Sequence, residues 1–321
     1  MADTLTTLAE LVRFNSLDVN PAEITDILNK APVLRVLHAM QSSNGTVHKY
    51  NVETTAPVIG FRAVNDGADY TASISTQTSI NLKYIDAKVI EDAAECRAYR
   101  GGATAWMDNR TARQLREALF TLEKQFFNGT VGGAAGGFLG LADDANYNSA
   151  SDALVINAAG TTAATGSSVW FIRSTPDDAS VALVGAGDSG LTTPNINFTV
   201  GDIFESVVLG ANSKSMVAMV RDAGGHLGVQ VGSKYAVARI ANITEDSGKG
   251  LTDTLLARAL ALFPVSDQPT HICMNRRSLR QLQVSRTTYS PTGFPAPRPT
   301  EYEGIPIVVT DAITSTEALL T

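Results

Sequence analysis

The sequence predicts an α+β fold, and three observations predict it. Short amphipathic segments open the chain. A long stretch of period-two alternation follows from Thr46 to Asp92. After it comes a strongly amphipathic helix, then strands and helices mixed without a regular strand–helix repeat.

At the start, Leu5, Leu8, Leu11 and Val12 recur at helical spacing, with Glu10 and Arg13 on the polar side. Asn20-Pro21 reads as a helix cap followed by proline at the first helical position, and Ile24, Ile27 and Leu28 continue that helix. Pro32 begins a third piece with Val33, Leu34, Val36 and Leu37. These pieces hold too little apolar surface for a core of their own and are expected to pack on another part of the protein.

"TVHKYNVETT" places Val47, Lys49, Asn51 and Glu53 on one side of a strand and His48, Tyr50 and Val52 on the other. After a tip containing Pro57, Gly60, Asp66 and Gly67, "YTASISTQTSINLKYIDAKVIED" puts Ile74, Thr76, Thr78, Ile80, Leu82 and Tyr84 on one face. Two long strands around a Gly- and Asp-containing tip form a β-hairpin. Ordinary strands run to about 5–6 residues, and a two-stranded ribbon is barely stable alone. This one must lie against a neighbour, in the same chain or another. Its tip, "TTAPVIGFRAVNDGAD", carries Val58, Ile59 and Phe61 with few local partners, an aggregation liability unless something covers it.

In "WMDNRTARQLREALFTLEKQFFNG", Asp108 or Asn109 caps a helix running to Phe127, with Ala112, Leu115, Leu119, Leu122 and Phe126 in one stripe and Asn128-Gly129 ending it. Residues 129–141 are Gly- and Ala-rich, and residues 143–168 are small and polar, which suits a loop excursion or a domain edge. "VWFIRS" and "VALVGAG" read as strands around "TPDD", and "MVAMVRDAGGHLGVQVGSKYAVARIANIT" as strand, turn and strand. "LTDTLLARALALF" is a helix started by Thr252 or Asp253, with Leu255, Leu256, Ala259 and Leu262 inward and Pro264 as its stop. "THICMN" is a buried strand, "RRSLRQLQVSR" a helix and "EGIPIVVTDAI" the last strand.

Composition narrows the function. An apolar fraction of 44%, a charged fraction of 18% and a net charge of −7 describe a folded chain, with few charges for its surface, as when other copies cover part of it. The negative charge argues against a dedicated nucleic-acid binder. No apolar run is long enough to span a membrane, and the first residues are too polar and acidic for a signal peptide, so synthesis and folding in the cytoplasm are expected. Cys96 and Cys273 have no second ligand or partner nearby in sequence, and His38, His48, His226 and His271 share no ligand spacing. "GVQVGSK" lacks the spacer of a phosphate loop, and "GAGDSGL" does not make a nucleophile elbow. No catalytic residue, metal or cofactor is expected.

One charge pattern stands out. Gln268 to Thr300 holds no acid but carries Arg276, Arg277, Arg280, Arg286 and Arg298. A second set, Arg97, Arg100, Arg110, Arg113 and Arg116, leads into the long helix. The sequence leaves two readings open: a solvated helix with a Pro-rich loop, or an interface meeting acidic surfaces of a neighbouring copy.

The serial order of arm, long hairpin, long helix ending "LEKQFFNGT", Gly-rich run ending "GGFLGL", mixed domain, "HICMNRRSLRQLQ" and final "EGIPIVVTDAI" resembles the major capsid proteins of tailed double-stranded DNA bacteriophages, the Hong Kong 97-type fold. "SSVWFIRS", "KYAVARIANIT" and "THICMNRRSLRQL" are similar to a branch made without a long N-terminal scaffolding segment. The resemblance covers nearly the whole chain and rests on order, not on one motif. It implies an N-arm at residues 1–42, an extended loop at 43–90 laid across an adjacent subunit, a peripheral domain from 91–140 and 266–321 with a spine helix, and an axial domain at 141–265. It further implies hexamers and pentamers in an icosahedral or elongated head enclosing double-stranded DNA, without sequence-specific contacts. Such a virion shell would assemble in the host cytoplasm, with scaffolding, portal and decoration proteins as further partners. Inter-subunit contacts are expected at Pro57, Val58, Ile59, Phe61, Arg62, Arg110, Arg113, Arg276, Arg277, Arg280 and Arg286. Some capsids of this fold join subunits covalently through a loop lysine, a distant Asn and a Glu. Here Lys49 and Lys83 fall in strands and no motif matches the rest, so no cross-link is expected. The alternatives are a nanocompartment shell protein of the same fold, which encloses an enzyme, and a soluble α+β enzyme or binding module.

Overall fold

The computed structural model of the chain describes residues 30–130, 136–185, 199–209, 213–288 and 294–321. The helices expected over 3–14 and 21–28 and most of the "GAGDSGL" stretch lie outside the described residues. From Pro32 the chain makes a 3-10 turn, Val33–Arg35, and then a short strand not foreseen in the sequence, β1 (His38–Gln41). Val33, Leu34 and Leu37 are buried in the main core, so this segment does pack on the body.

The hairpin pairs β2 (Val47–Thr55) with β5 (Ile74–Asn81), and the two sets read from the alternation face each other, His48 opposite Ile80, Tyr50 opposite Thr78 and Val52 opposite Thr76. Toward the tip, β3 (Val58–Ile59) pairs with β4 (Tyr70–Thr71). The return strand is not continuous, however. Opposite its far end β2 has run out, so past Asn81 the backbone must bond elsewhere. β6 (Lys83–Asp86) and β7 (Val89–Asp92) both pair antiparallel with β12 (Ser215–Val231). Leu82 is buried at the changeover, and a side chain at Gly228 would meet its Cδ2 at 2.7 Å, which is why glycine stands there. Gly228 is thus a strand residue, not part of a phosphate-binding loop.

Two sheets form the body. The first runs β1, β10 (Val181–Gly185), β12, β11 (Thr199–Leu209), with β6 and β7 also on β12. The second runs β15 (Glu301–Tyr302), β16 (Ile305–Val309), β14 (His271–Met274), β9 (Ser167–Ile172), β13 (Val237–Ile243), β8 (Val155–Asn157). β9 and β10, read in sequence as neighbours around a turn, therefore diverge into different sheets. The bend between them is held by Arg173, whose Nη2 donates to Asp177 Oδ2 at 2.6 Å. The stretch 143–168 is no excursion: Leu154, Val155 and Ile156 are buried, and β8 pairs in parallel with β13. Strand pairing does not follow the segment boundaries drawn from the sequence. Residues 141–265 supply strands to both sheets, and β14 and β16 join β8, β9 and β13.

Helix α1 (Ala93–Ala98) precedes the long helix α2 (Ala103–Asn128), which starts at Ala103 and not at Asn109. Gly102, at φ 87°, makes the sharp turn into it. Trp106 and Met107 bury against Val89, Ala93, Cys96 and Met219, and this packing fixes the first turns without an Asp or Asn cap. Asp108 lies inside the helix, where its Oδ1 accepts from Arg221 Nη1. Of the expected stripe, Leu122 and Phe126 are buried, Leu115 and Leu119 half-buried and Ala112 exposed. Phe126, Phe127, Trp170 and Tyr147 cluster where the helix meets the second sheet.

Helix α3 (Asp253–Leu260) is capped by Thr252, with Leu256 and Ala259 buried. Helix α4 (Arg276–Thr288) buries Leu279 and Leu282. Asn275 Oδ1 accepts from Ser278 N at 2.8 Å and caps it. The final strand, β16, enters through Glu303 and Gly304 at φ 50° and 79°, the paired positive values of a tight two-residue hairpin turn. It then lies parallel to β14.

A buried carboxylate ties the distant parts together. Glu123 of α2 is fully buried; it accepts from Val33 N at 2.9 Å, Leu34 N at 3.4 Å and the Thr310 hydroxyl. Burial nevertheless pushes its pKa up to about 7, against the pull of those three donors.

Candidate interaction surfaces

The hairpin is anchored at its base and bare at its end. His48 is buried; its Nδ1 accepts from Ser43 N at 3.1 Å, which leaves Nε2–H to donate to Gln230 Oε1 at 2.6 Å. Gln230 Nε2 donates in turn to Asp178 O at 2.8 Å, and Tyr50 OH to Val231 O at 3.2 Å. At the other end, Pro57 and Arg62 are exposed, and the fractional exposures are 50% for Val58, 87% for Ile59, 109% for Phe61 and 91% for Val64. Arg62 Nη1 donates to Asp66 O at 3.2 Å, and Asp66 Oδ1 accepts from Gly67 N at 2.8 Å, so the tip has a defined local turn under its apolar side chains. Covering each of these large side chains is worth about 1.5–3 kcal/mol.

A second apolar surface was missed in the sequence. β11 and the start of β12 form a ribbon in which Val207 faces Val217 and Leu209 faces Ser215. Val207, Leu209 and Val217 are exposed on one face of it, and Phe204 is exposed on the other. The apolar run Val207 to Leu209, which puts Val207 and Leu209 on one face, was the available signal.

The arginines expected at contacts divide by role. Arg110 is drawn inside: its Nε lies 3.4 Å from Glu91 Oε1, and its guanidinium stacks 4.6 Å above the Trp106 ring. Arg277 donates to the carbonyls of Thr165 at 2.7 Å, Ile243 at 3.0 Å and Ser315 at 3.2 Å. Arg286 holds α4 to α3 by a forked contact with Asp253, at 2.7 and 2.9 Å. Arg113 is half-buried on α2. Arg280 is exposed and pairs with Glu245, and Arg276 is exposed beside it. Sequence spacing could not separate these, because an arginine shows its charge but not its partner.

No group of three His, Cys, Asp or Glu side chains among the described residues could hold a metal. Cys96 and Cys273 are buried free thiols, and burial pushes Cys96 up to about 11, away from the reactive thiolate. Among the same residues, no helix is long and apolar enough to cross a membrane.

The described residues thus give a body of two sheets and a long helix, and a hairpin that carries exposed apolar side chains at its end. The chain belongs to the major capsid protein GP7 family, whose description matches residues 17–321. Its fold is that of Hong Kong 97-type phage capsid subunits. A chain of the bacteriophage Epsilon15 structure, 17% identical, superimposes with a TM-score of 0.69 over 100% of this chain and 98% of that one. The bacteriophage JBD30 capsid gives 12% identity and a TM-score of 0.48 over 96% and 99% of the two chains. The SrpI encapsulin complex of Synechococcus elongatus PCC 7942 gives 10% and 0.46 over 75% and 96%. Only the first of these three exceeds 0.5. Among curated proteins, none matches.

Proposed function

We propose that this major capsid protein builds hexamers and pentamers of a phage head around double-stranded DNA, and that the hairpin of residues 43–90 reaches onto a neighbouring copy. The observation that carries this is the tip, where Ile59, Phe61 and Val64 stand almost wholly in water on a turn held by its own hydrogen bonds. A monomer gains nothing from presenting them; a shell gains the burial many times over, since each modest contact is multiplied by valency. The ribbon end with Val207, Leu209 and Val217 supplies a second contact of the same kind. Contacts at two different patches on one chain are heterologous, the type that closes rings and builds outward from them.

Within this reading, residues 1–42 serve as the N-arm. α2 with the first sheet forms the peripheral part, and the second sheet with α3 and α4 forms the axial part. This places residues 266–321 with the axial part and not, as the resemblance implied, with the peripheral one; the pairing of β14 and β16 with β8, β9 and β13 supports it. Of the expected contact arginines, Arg62, Arg113 and Arg280 are kept as contacts to a neighbouring copy, whereas Arg110, Arg277 and Arg286 already make bonds within the subunit. Scaffolding, portal and decoration proteins would meet the assembled shell, which forms in the host cytoplasm.

The test is particle mass by light scattering, with negative-stain microscopy, over a range of concentrations. Sheets or closed particles with sixfold and fivefold units are expected. Removing residues 55–68 should abolish closed particles and leave the circular dichroism of the body unchanged. A full-length chain that stays monomeric or dimeric at every concentration, with or without a scaffolding protein, would sink the reading.

A further inference from the structure

An open groove of 410 Å³ is lined by Arg276, Arg277, Leu279, Arg280, Gln283 and Arg298. Arg276 and Arg280 lie one turn apart on α4, and Arg298 faces them from the segment that follows. Arg277 is committed to three backbone carbonyls and Arg280 to Glu245. Arg276 and Arg298 make no ion pair among the described residues and are exposed. The first turn of α4 holds no acid, although a helix N-terminus favours negative charge. Two arginines stand there instead, so the positive end of the helix and the guanidinium groups repel one another. An anion in the groove would relieve this.

We propose that this groove binds the phosphate backbone of double-stranded DNA. The proposal rests on the reading of the chain as a head subunit, and it adds a site on that subunit for the contents of the head. Two features favour phosphate over the carboxylates of a neighbouring copy. Four of the six lining residues are arginines and a fifth is Gln283, with Leu279 the one aliphatic residue. The buried centre of a protein–protein contact is depleted in charge and rich in aromatic side chains, whereas nucleic-acid contacts are more polar and far more positive. The cationic stretch is also segregated. Gln268 to Thr300 holds five arginines and no acid, in a chain of 25 basic and 32 acidic residues. Such a site reads no sequence, since phosphate contacts position DNA without specifying it. It also needs no net positive chain, because the attraction acts within about 10 Å at ordinary salt.

The experiment is fluorescence anisotropy of a labelled 20-base-pair duplex with the full chain. It is repeated between roughly 50 and 200 mM salt, where phosphate contacts weaken steeply. The same samples are inspected by negative stain. In the double variant Arg276→Ala, Arg298→Ala, affinity should fall about tenfold or more and the salt slope should become shallower by about two. The charge-keeping variant Arg276→Lys, Arg298→Lys should retain most of the binding. Arg276 and Arg298 are both exposed, so equal circular dichroism is expected of the two variants. Unchanged affinity and slope in the alanine variant overturn the proposal. So does an alanine variant that binds DNA normally but no longer assembles, which would give the groove to a carboxylate surface of a neighbouring copy. Binding lost in the variant while the wild-type chain forms no particle would uphold the groove and overturn the shell reading.

Discussion

Glu123 makes the sharpest energetic prediction. In the unfolded chain its carboxyl titrates near 4.5; in the fold, burial raises it to about 7, and nearby Asp311 adds to the rise. Thr310, Val33 and Leu34 donate to it and pull the other way. Because the folded value is the higher one, the native state keeps a proton that the unfolded state has already released between these limits. That contribution to stability is complete below about 4.5 and is lost as pH rises through about 7. A rise from 4.5 to about 7 corresponds to about 3 kcal/mol at most. Glu123→Gln keeps the shape and an acceptor for the Val33 and Leu34 amides but cannot ionise. Urea unfolding of the unassembled subunit at pH 5, 6, 7 and 8 should show the variant gaining on the wild type with pH, by up to about 3 kcal/mol at pH 8. Groups common to both proteins cancel in the difference. A difference that stays constant across this range, or that moves against the variant as pH rises, would refute the reasoning and show that the three donors outweigh burial.

Further predictions concern the hairpin and the helices. Phe61→Asp should leave the subunit's circular dichroism and unfolding midpoint unchanged but abolish particles in the electron microscope, since Phe61 touches nothing in its own body. His48→Ala should strip the Gln230 amide of its partner and cost about 1–3 kcal/mol, read as a lower urea midpoint. Gly228→Ala should push Leu82 out of its seat, where the added Cβ comes within 2.7 Å of Cδ2; it should cost about 1–3 kcal/mol and raise hydrogen exchange at the base of the hairpin. Arg286→Ala breaks a forked but partly exposed pair with Asp253 and should cost only about 1 kcal/mol, seen as a melting-temperature drop of a few degrees.

The legible parts of the fold were those whose pattern is local. The two faces of the first hairpin strand were readable because His48, Tyr50 and Val52 turn toward the body while Lys49, Asn51 and Glu53 face water. The last strand was readable from Ile305, Ile307, Val308 and Val309, though its first two residues, Glu303 and Gly304, form a turn instead. What escaped depended on distant partners. β1 is a strand only because β10 pairs with it, and α2 extends back to Ala103 only because Trp106 finds Met219 and Val89. The bare tip was foreseen from Val58, Ile59 and Phe61, but the fate of Arg110, Arg277 and Arg286 was not. Glu123 left one usable trace: an acid four residues after Leu119 and three before Phe126, inside the very stripe that should have been apolar.

The tie at Glu123 also bears on how the subunit comes into being. It joins residues 90 positions apart on one side and 187 on the other, so the main core cannot close until Thr310 is present. The hairpin, by contrast, pairs only near neighbours and can form early. During synthesis there is thus an interval in which the adhesive tip exists and the body that should carry it does not. Nascent chains on one message would then be at risk of sticking to each other before any of them could take a proper place in a lattice. The interval between hairpin and core closure is where a chaperone would act, and its length would set how much of this protein is lost to aggregates rather than built into shells.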